Sequence, residues 1–372
     1  MRNVGSFLVC TIYILINYYI GYRAFIFAES SFNIAVSILI TILIGILTIM
    51  TISTYLLSSR NVGLIVGKLG SYWMGVSLLT FIFLLIVRLL NKAISVIGFT
   101  SISNSYEFII ALIIVVIIFT IGVYNSSKIK VKDYNIEINK NCDLDRLKIV
   151  AISDLHLGYI NVNKKLEKSV EMINKENADL VVILGDIFDG NFKAIQSERE
   201  TKEILNKIES KYGTYLCWGN HDAGETFPLM RKFISETNVK LLEDEFINVD
   251  DKFIILGRKD SLPIGNQGSV RQDISEISKN IDNKLPLIVL DHQPSNINEY
   301  MNIGDLVLSG HTHGGQVYPL NFITSNIFET DYGHKAYENG TQIIVTSGLF
   351  TWGPPMRIGT NNEIICVNVL FK

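Results

Sequence analysis

Along the first third of the chain, polar positions are nearly absent. Four apolar runs, roughly 6–27, 33–57, 70–90 and 106–124, succeed one another with short polar breaks between them. Each is long enough, at about 20 residues, to cross a hydrocarbon core of about 30 Å as a helix. Core helices of a water-soluble protein seldom recur at this length without a polar face. The first run does not end like a cleaved leader, because Ile26 stands where a small residue is needed for a cut after Ala28. The pattern predicts a transmembrane domain of about four helices over residues 1–127.

From residue 128 the rhythm changes. "KIKVKDYNIEI" alternates polar and apolar residues, as a half-buried strand does, and 128–144 reads as a linker with this leading strand. "RLKIVAISD", "ADLVVILGD" and "GTYLCWGNHD" are more continuous apolar runs with polar ends. Helical patterns follow them near 163–176, 195–210 and 226–236. Then come "KFIILG", a helix near 269–282, "LPLIVLDH" with a short helix, "DLVLSGHTH", and the closing strands "TQIIVTSG" and "EIICVNVLF". Buried strands alternating with helices predict an α/β domain over 145–372 with both sheet faces covered. In such folds ligands gather beyond the carboxyl ends of the strands.

Charge sharpens the division. Residues 1–127 carry eight charged side chains, whereas 128–372 hold 27 Lys/Arg against 34 Asp/Glu. No nucleic-acid partner is expected, since such binders show a basic surplus or stripe. No ionisable residue falls mid-span, so the helices read as an anchor in a cell membrane and not as a transport pathway. The four cysteines lack metal or redox spacing. Among basic residues near span ends, Arg2, Arg60, Lys68, Lys128, Lys130 and Lys132 share the side of the termini. Arg23, Arg88 and Lys92 share the other. Six against three favours a cytoplasmic position for the domain that follows the spans in this multi-pass chain.

The candidate chemistry lies at the strand ends. "SDLHLG" offers Asp154 and His156, "GDIFD" offers Asp186, and "GNHD" offers Asn220 and His221. "DHQP" offers His292 and "SGHTHGGQ" offers His311 and His313. Each block alone is an ordinary turn or a hydrogen-bonded structural histidine. Five blocks in one repeating context, holding all but one of six histidines, are not. The set is a mixed nitrogen and oxygen field without cysteine, too large for one ion, and suits two ions sharing a carboxylate and a water.

In order, Asp-x-His, Gly-Asp, Gly-Asn-His-Asp, a separate His and Gly-His-x-His resemble the signature of calcineurin-like metallophosphoesterases, with every block present over 146–315. "HTHGGQ" and "SGLFTWGPPMRIGTNNEI" resemble the bacterial membrane-associated branch of that family. The resemblance implies a calcineurin-like αββα sandwich, two mixed sheets flanked by helices, preceded here by the four-helix region. It implies two divalent metal ions, manganese, iron or zinc. Asp154, His156, Asp186 and His313 would hold one, and Asp186, Asn220, His292 and His311 the other, with Asp186 bridging. By the same resemblance His221 is catalytic, giving a proton to the leaving oxygen or stabilising charge at the phosphate.

Asp189 and Asp222 are second-layer candidates that orient nearby groups or simply cap turns. Arg357 either meets substrate phosphate or is an ordinary surface arginine. Trp352 with its neighbouring prolines is a pocket wall or a rigid turn, and His334 is structural. The expected function is a membrane-anchored dinuclear phosphoesterase acting on a phosphate monoester or diester, with a lipid head group or lipid-linked phosphate favoured by the adjoining spans. A soluble nucleotide or cyclic-nucleotide diester is the enzymatic alternative. A non-catalytic phospho-ligand sensor or scaffold is the alternative of another class, and the complete ligand set argues against it.

Overall fold

Strand-end delivery of the candidate residues is visible in how the sheets are built. The computed structural model describes residues 2–56, 62–140, 142–264 and 270–372, with side chains from residue 7 onward. Arg60 and residue 269 lie outside the described residues, as does the side chain of Arg2. The chain divides into two units, one of residues 1–124 with 353–356, the other of 125–352 with 357–372.

The first unit contains four helices: α1 (Arg2–Ser31), α2 (Ile34–Leu56), α3 (Leu64–Val96) and α4 (Asn104–Ser126). All four are long and apolar enough to cross a membrane. Apolar side chains such as Leu39, Ile65, Leu89 and Ile117 point outward, and the interior is a small cluster around Ile20, Ala24, Leu84, Val87, Phe108 and Ala111. That inversion of the usual distribution suits lipid as the solvent. At 33 residues α3 outruns the expected span at both ends. Hydropathy reads only the part suited to hydrocarbon, and Lys68, Arg88 and Lys92 continue the helix without interrupting it.

The structure also pairs charges that the hydropathy pattern left apart. Arg23 on α1 donates to Glu107 on α4 at 2.7 Å, and both side chains are buried. Asn91 on α3 donates to the other Glu107 oxygen, so one carboxylate ties three helices together. Arg23 is therefore neutralised inside the bundle and is not an interfacial charge.

The second unit is a sandwich of two six-stranded mixed sheets. The first sheet is built from β1 (Ile129–Ile138), β2 (Arg146–Ile152), β3 (Leu180–Leu184), β4 (Thr214–Cys217), β5 (Val239–Leu241) and β12 (Asn362–Phe371), in the order β1-β12-β2-β3-β4-β5. The second comprises β6 (Glu245–Val249), β7 (Phe253–Gly257), β8 (Leu287–Leu290), β9 (Leu306–Ser309), β10 (Gly333–Ala336) and β11 (Gln342–Val345), in the order β10-β11-β9-β8-β7-β6. Alternation along each strand makes three apolar layers. Ile149, Ala151, Val182 and Leu184 meet Ile255, Ile288, Leu290 and Leu308 between the sheets. Val150, Ile152, Val181 and Ile183 face outward to α5 (Asn163–Lys175), α6 (Glu198–Leu205) and α7 (Phe227–Ser235). On the far side Ile254, Leu256, Val289 and Val307 are covered by α8 (Ile274–Ser278) and a 3-10 turn, Pro294–Tyr300.

This is the expected αββα arrangement. Three details differ from the sequence reading. The leading strand is an integral edge of the first sheet, pairing parallel with β12 from Ile129↔Asn362 onward. The helices expected near 195–210 and 269–282 shrink to α6 and α8, because only their middle turns bury an apolar face. The periodic pattern also missed the short strands β5, β6 and β10, and α9 (Asn321–Ile327), which buries no side chain and so leaves no amphipathic trace.

Candidate metal centre

The carboxyl ends of β2, β3, β4, β8 and β9 deliver Asp154 with His156, Asp186, Asn220, His292 and the His311–His313 pair. Five of these residues sit in the left-handed backbone region: Asp154 (φ 56°), His156 (φ 38°), Asp186 (φ 52°), His311 (φ 72°) and His313 (φ 52°). A non-glycine residue rarely adopts that conformation, and each instance costs about 1–3 kcal/mol unless its surroundings compel it. Here neighbouring loops compel it. His156 N donates to Asp186 O at 2.9 Å, Asp154 N to Gly185 O at 3.0 Å, and Gly310 N to His292 O at 2.9 Å. Two glycines allow the loops to close on one another. A Cβ at Gly219 would strike the Asp186 carboxylate, and one at Gly310 would strike Ser153 Oγ.

The side chains converge as two groups. In the first, His156 Nε2 and His313 Nε2 are 3.3 Å apart, and they stand 3.7 and 3.4 Å from Asp154 Oδ1. Asp186 Oδ2 is 3.6 Å from the same His156 nitrogen. In the second, Asp186 Oδ2 lies 3.2 Å from His292 Nε2, which is 3.1 Å from Asn220 Oδ1, and His311 completes the group. One oxygen, Asp186 Oδ2, thus faces both. Ligands about 2.1 Å from a common ion stand about 3–3.5 Å from each other, so this spacing fits a coordination shell. The buried Asp154 Oδ1 has no hydrogen-bond partner, an orphan that a cation would satisfy.

The outer contacts fix the rings. His292 Nδ1 donates to Leu184 O at 2.7 Å, leaving the Nε2 lone pair for a ligand bond. His156 Nδ1 faces Asp189 Oδ1 at 3.4 Å, so Asp189 orients this ring. His156, Asp189 and His221 form a third close group, but a neutral imidazole has one lone pair to give, and that of His156 points to the first group. Asp222 accepts from Ile187 N, Phe188 N and Gly219 N, which clamps the Asp186 loop to the Asn220 loop. His221 is partly exposed, its ring 4.9 Å from that of His156 and 5.7 Å from that of Trp352, and its backbone N–H donates to Asp186 Oδ1 at 2.8 Å.

Burial and the mutual charges of the cluster set how its members titrate. Burial opposes ionisation of Asp154 and Asp186, but the surrounding histidines, His313 foremost for Asp154 and His292 for Asp186, hold both carboxyls below their usual range. His156 is buried, yet Asp154, Asp189 and Asp186 lift it to about 10. His292 is likewise raised, mainly by Asp186. Burial depresses His313, His221 and His311, the last to about 4. Burial and the Asp186 charge push Asp222 up to about 7.

Arg357 is not the surface arginine that one of the two sequence readings expected. It is fully buried, and its guanidinium donates to His313 O, Ser347 O, Phe350 O and Asn362 Oδ1. It also approaches His313 Nδ1 at 3.2 Å, so it braces the histidine from behind. Arg357→Met leaves those acceptors buried and unpaired, an expected loss of about 3–5 kcal/mol. Thermal unfolding of the full chain in EDTA should show the drop. An unchanged melting temperature with a raised KM would return the residue to substrate binding.

Sequence reasoning did not reach several supports. Ser153 Oγ donates to Asp154 Oδ2 at 2.5 Å, and Asn161 bridges His156 O and Thr351 O. Behind His292, Arg271 grips both Asp291 oxygens, and Tyr300 donates to one of them. Only Ser153 and Asp291 adjoin a motif; nothing in the sequence marks the others. His334 lies apart from the site, on β10, bonded to Gln342.

The comparisons agree with this geometry. The calcineurin-like phosphoesterase family profile matches residues 147–315. A protein described as an uncharacterized metallophosphoesterase of Aquifex aeolicus is 32% identical over 245 residues, covering 66% of this chain and 93% of its own. One from Campylobacter jejuni is 34% identical over 250 residues, covering 65% of this chain and 64% of its own. A Danio rerio "transmembrane protein with metallophosphoesterase domain" is 29% identical over 282 residues, covering 71% of this chain and 62% of its own. The chain therefore spans somewhat under two thirds of the length of several relatives. It belongs to the calcineurin-like metallophosphoesterase family. The apolar helices and the transmembrane relatives support membrane association.

Proposed function

We propose that the chain is a membrane-anchored dinuclear phosphoesterase. The observation that carries this reading is Asp186 Oδ2, one carboxylate oxygen facing two separate clusters of nitrogen and oxygen donors. Asp154, His156, Asp186 and His313 would hold one divalent ion, and Asp186, Asn220, His292 and His311 the other. When bound, such a pair supplies Lewis acidity toward a phosphoryl group and an activated water nucleophile. The chain's own part is to hold the His292 and His156 rings in one tautomer, through Leu184 O and Asp189, and to place a proton at the leaving oxygen. His221 is the group for that proton, being partly exposed at the rim beside Trp352. Its orientation follows from the Asp186 bond to its backbone.

The substrate is a phosphate monoester or diester, and the four spans favour one already in the bilayer, a lipid head group or lipid-linked phosphate. The basic residues at the span ends support a cytoplasmic domain, the more so since Arg23 is buried against Glu107. Metal titration of the EDTA-stripped full chain tests the centre. About two ions should bind per chain. His156 holds a proton up to pH about 10, so an entering ion must displace it. Affinity should therefore rise with pH between 6 and 9, by about tenfold per unit for each proton released. Stoichiometry of one ion or fewer per chain, or affinity independent of pH, would overturn the dinuclear centre. Hydrolysis of bis(p-nitrophenyl) phosphate, p-nitrophenyl phosphate and a vesicle-borne phospholipid, compared on the loaded protein, distinguishes the substrate classes.

A further inference from the structure

The loop that carries His311 and His313 continues into a segment the proposed chemistry does not use. Between Asp305 and Glu329 no residue is charged, within a unit that is otherwise acidic. The middle of this stretch, "VYPLNFITSNIF", projects its apolar side chains into solvent. Tyr318, Leu320, Phe322, Ile323 and Ile327 are each between 48% and 66% exposed. Scattered exposed apolar residues are normal on any surface, but five large ones within ten residues make a contiguous patch that marks an interaction face.

The segment is held at both ends and bare between them. Val317 bridges to Ile358, and Tyr318 N donates to Ile358 O at 2.8 Å. At the other end the Phe328 ring packs 5.8 Å from the His311 ring, and Thr324 Oγ1 donates to Asp331. The helix α9 between these anchors buries nothing.

Its position says what covers it. The stretch 357–362 that holds Tyr318 also holds the point where the chain leaves its last apolar helix. Asn125 Nδ2 donates to Arg357 O at 3.3 Å, and Asn362 Nδ2 donates to Ser126 O at 2.7 Å. Residues 125 and 126 are the last two of α4, which is 23 residues long and a candidate span. The bare patch therefore begins close to residues 125 and 126, where the chain leaves α4. Lys128 and Lys130 stand exposed at the same exit, and Lys132 reaches Tyr332 Oη at 3.1 Å, a basic rim for anionic head groups. Tyrosine and phenylalanine beside an aliphatic turn, with lysines around them, is the composition of an interfacial segment.

We propose that Val317–Phe328 is an interfacial membrane lip, with Tyr318, Leu320, Phe322, Ile323 and Ile327 seated among the head groups and upper acyl chains of the bilayer that the four helices cross. The His311–His313 loop is then held at the lipid surface, where a phosphate on a head group arrives without leaving the membrane. The lip rests on the helices spanning a bilayer and stands whether or not the centre hydrolyses lipid.

Depth-dependent fluorescence quenching tests it on the full chain. Phe322→Trp and Ile327→Trp are reconstituted into phosphatidylcholine–phosphatidylglycerol nanodiscs carrying a spin label at the head group, at acyl carbon 5 or at carbon 12. The signal of the unsubstituted protein is subtracted. Ile117→Trp, on the outer face of α4, reports that the helices are inserted, and Leu229→Trp, exposed on α7, reports the aqueous background. Both lip tryptophans should be quenched most by the head-group and carbon-5 labels, and about threefold more than Leu229→Trp. Ile117→Trp should be quenched most at carbon 12. Lip tryptophans quenched no more than Leu229→Trp, while Ile117→Trp is quenched deeply, would overturn the lip. Failure of Ile117→Trp to quench would remove the spanning helices and the lip with them.

Discussion

Asp186→Asn should abolish turnover while leaving the fold intact. One Asp186 oxygen faces both donor clusters and the other accepts the His221 backbone N–H at 2.8 Å, so a single substitution disturbs every part of the centre. Asparagine keeps the shape but removes a negative charge from between two cation positions, and only one of its two terminal atoms can donate a lone pair. We expect kcat/KM on bis(p-nitrophenyl) phosphate to fall by about three orders of magnitude, equivalent to about 4 kcal/mol of transition-state stabilisation. Metal content, measured on the same preparation, should drop to one ion per chain or fewer. Two ions retained with turnover within tenfold of the parent would sink the bridging role.

His221→Ala separates chemistry from metal binding. Its ring lies outside the two ligand groups, so the variant should keep both ions. The loss of proton donation should lower kcat by about 10²–10⁴. That loss should depend on the leaving group. It should be smallest with p-nitrophenolate, which departs readily as an anion, and largest with an alkyl ester, whose alkoxide needs the proton. Equal losses across leaving groups would assign His221 to charge stabilisation at the phosphate instead. Loss of metal in this variant would make it a ligand and promote the His156–Asp189–His221 group.

The two variants together also address the scaffold reading. A phospho-ligand sensor would bind ions and phosphate in the parent protein without turnover, and neither substitution would then change a rate.

Much of the site could be read from the chain alone, and for a definite reason. Asp154, Asp186, Asn220, His292 and His311 each follow a continuous apolar run, and a buried strand in an α/β fold must end at one edge of its sheet. The order of blocks along the chain therefore already implies that they meet. The four apolar helices were legible on similar grounds, because a span of lipid-facing residues needs nothing beyond its own composition.

Other features depended on partners distant in sequence. β1 joins the sheet by pairing with β12, more than 230 residues away, and an isolated alternating strand gives no sign of that neighbour. The Arg23–Glu107 pair joins helices 84 residues apart, each charge appearing alone at a span end. Arg357 is the sharpest case. Its neighbours "PPM" and "IGTNN" suggest an exposed turn, yet three backbone carbonyls from two segments, those of His313, Ser347 and Phe350, surround its guanidinium. The sharing of Asp186 Oδ2 between two clusters, and the left-handed backbone at five of the seven candidate ligand positions, likewise appear only in three dimensions. Periodicity along a chain records which local face is buried. The direction of a carboxylate, or the fate of a buried arginine, is decided by loops that become neighbours only when the sheets assemble.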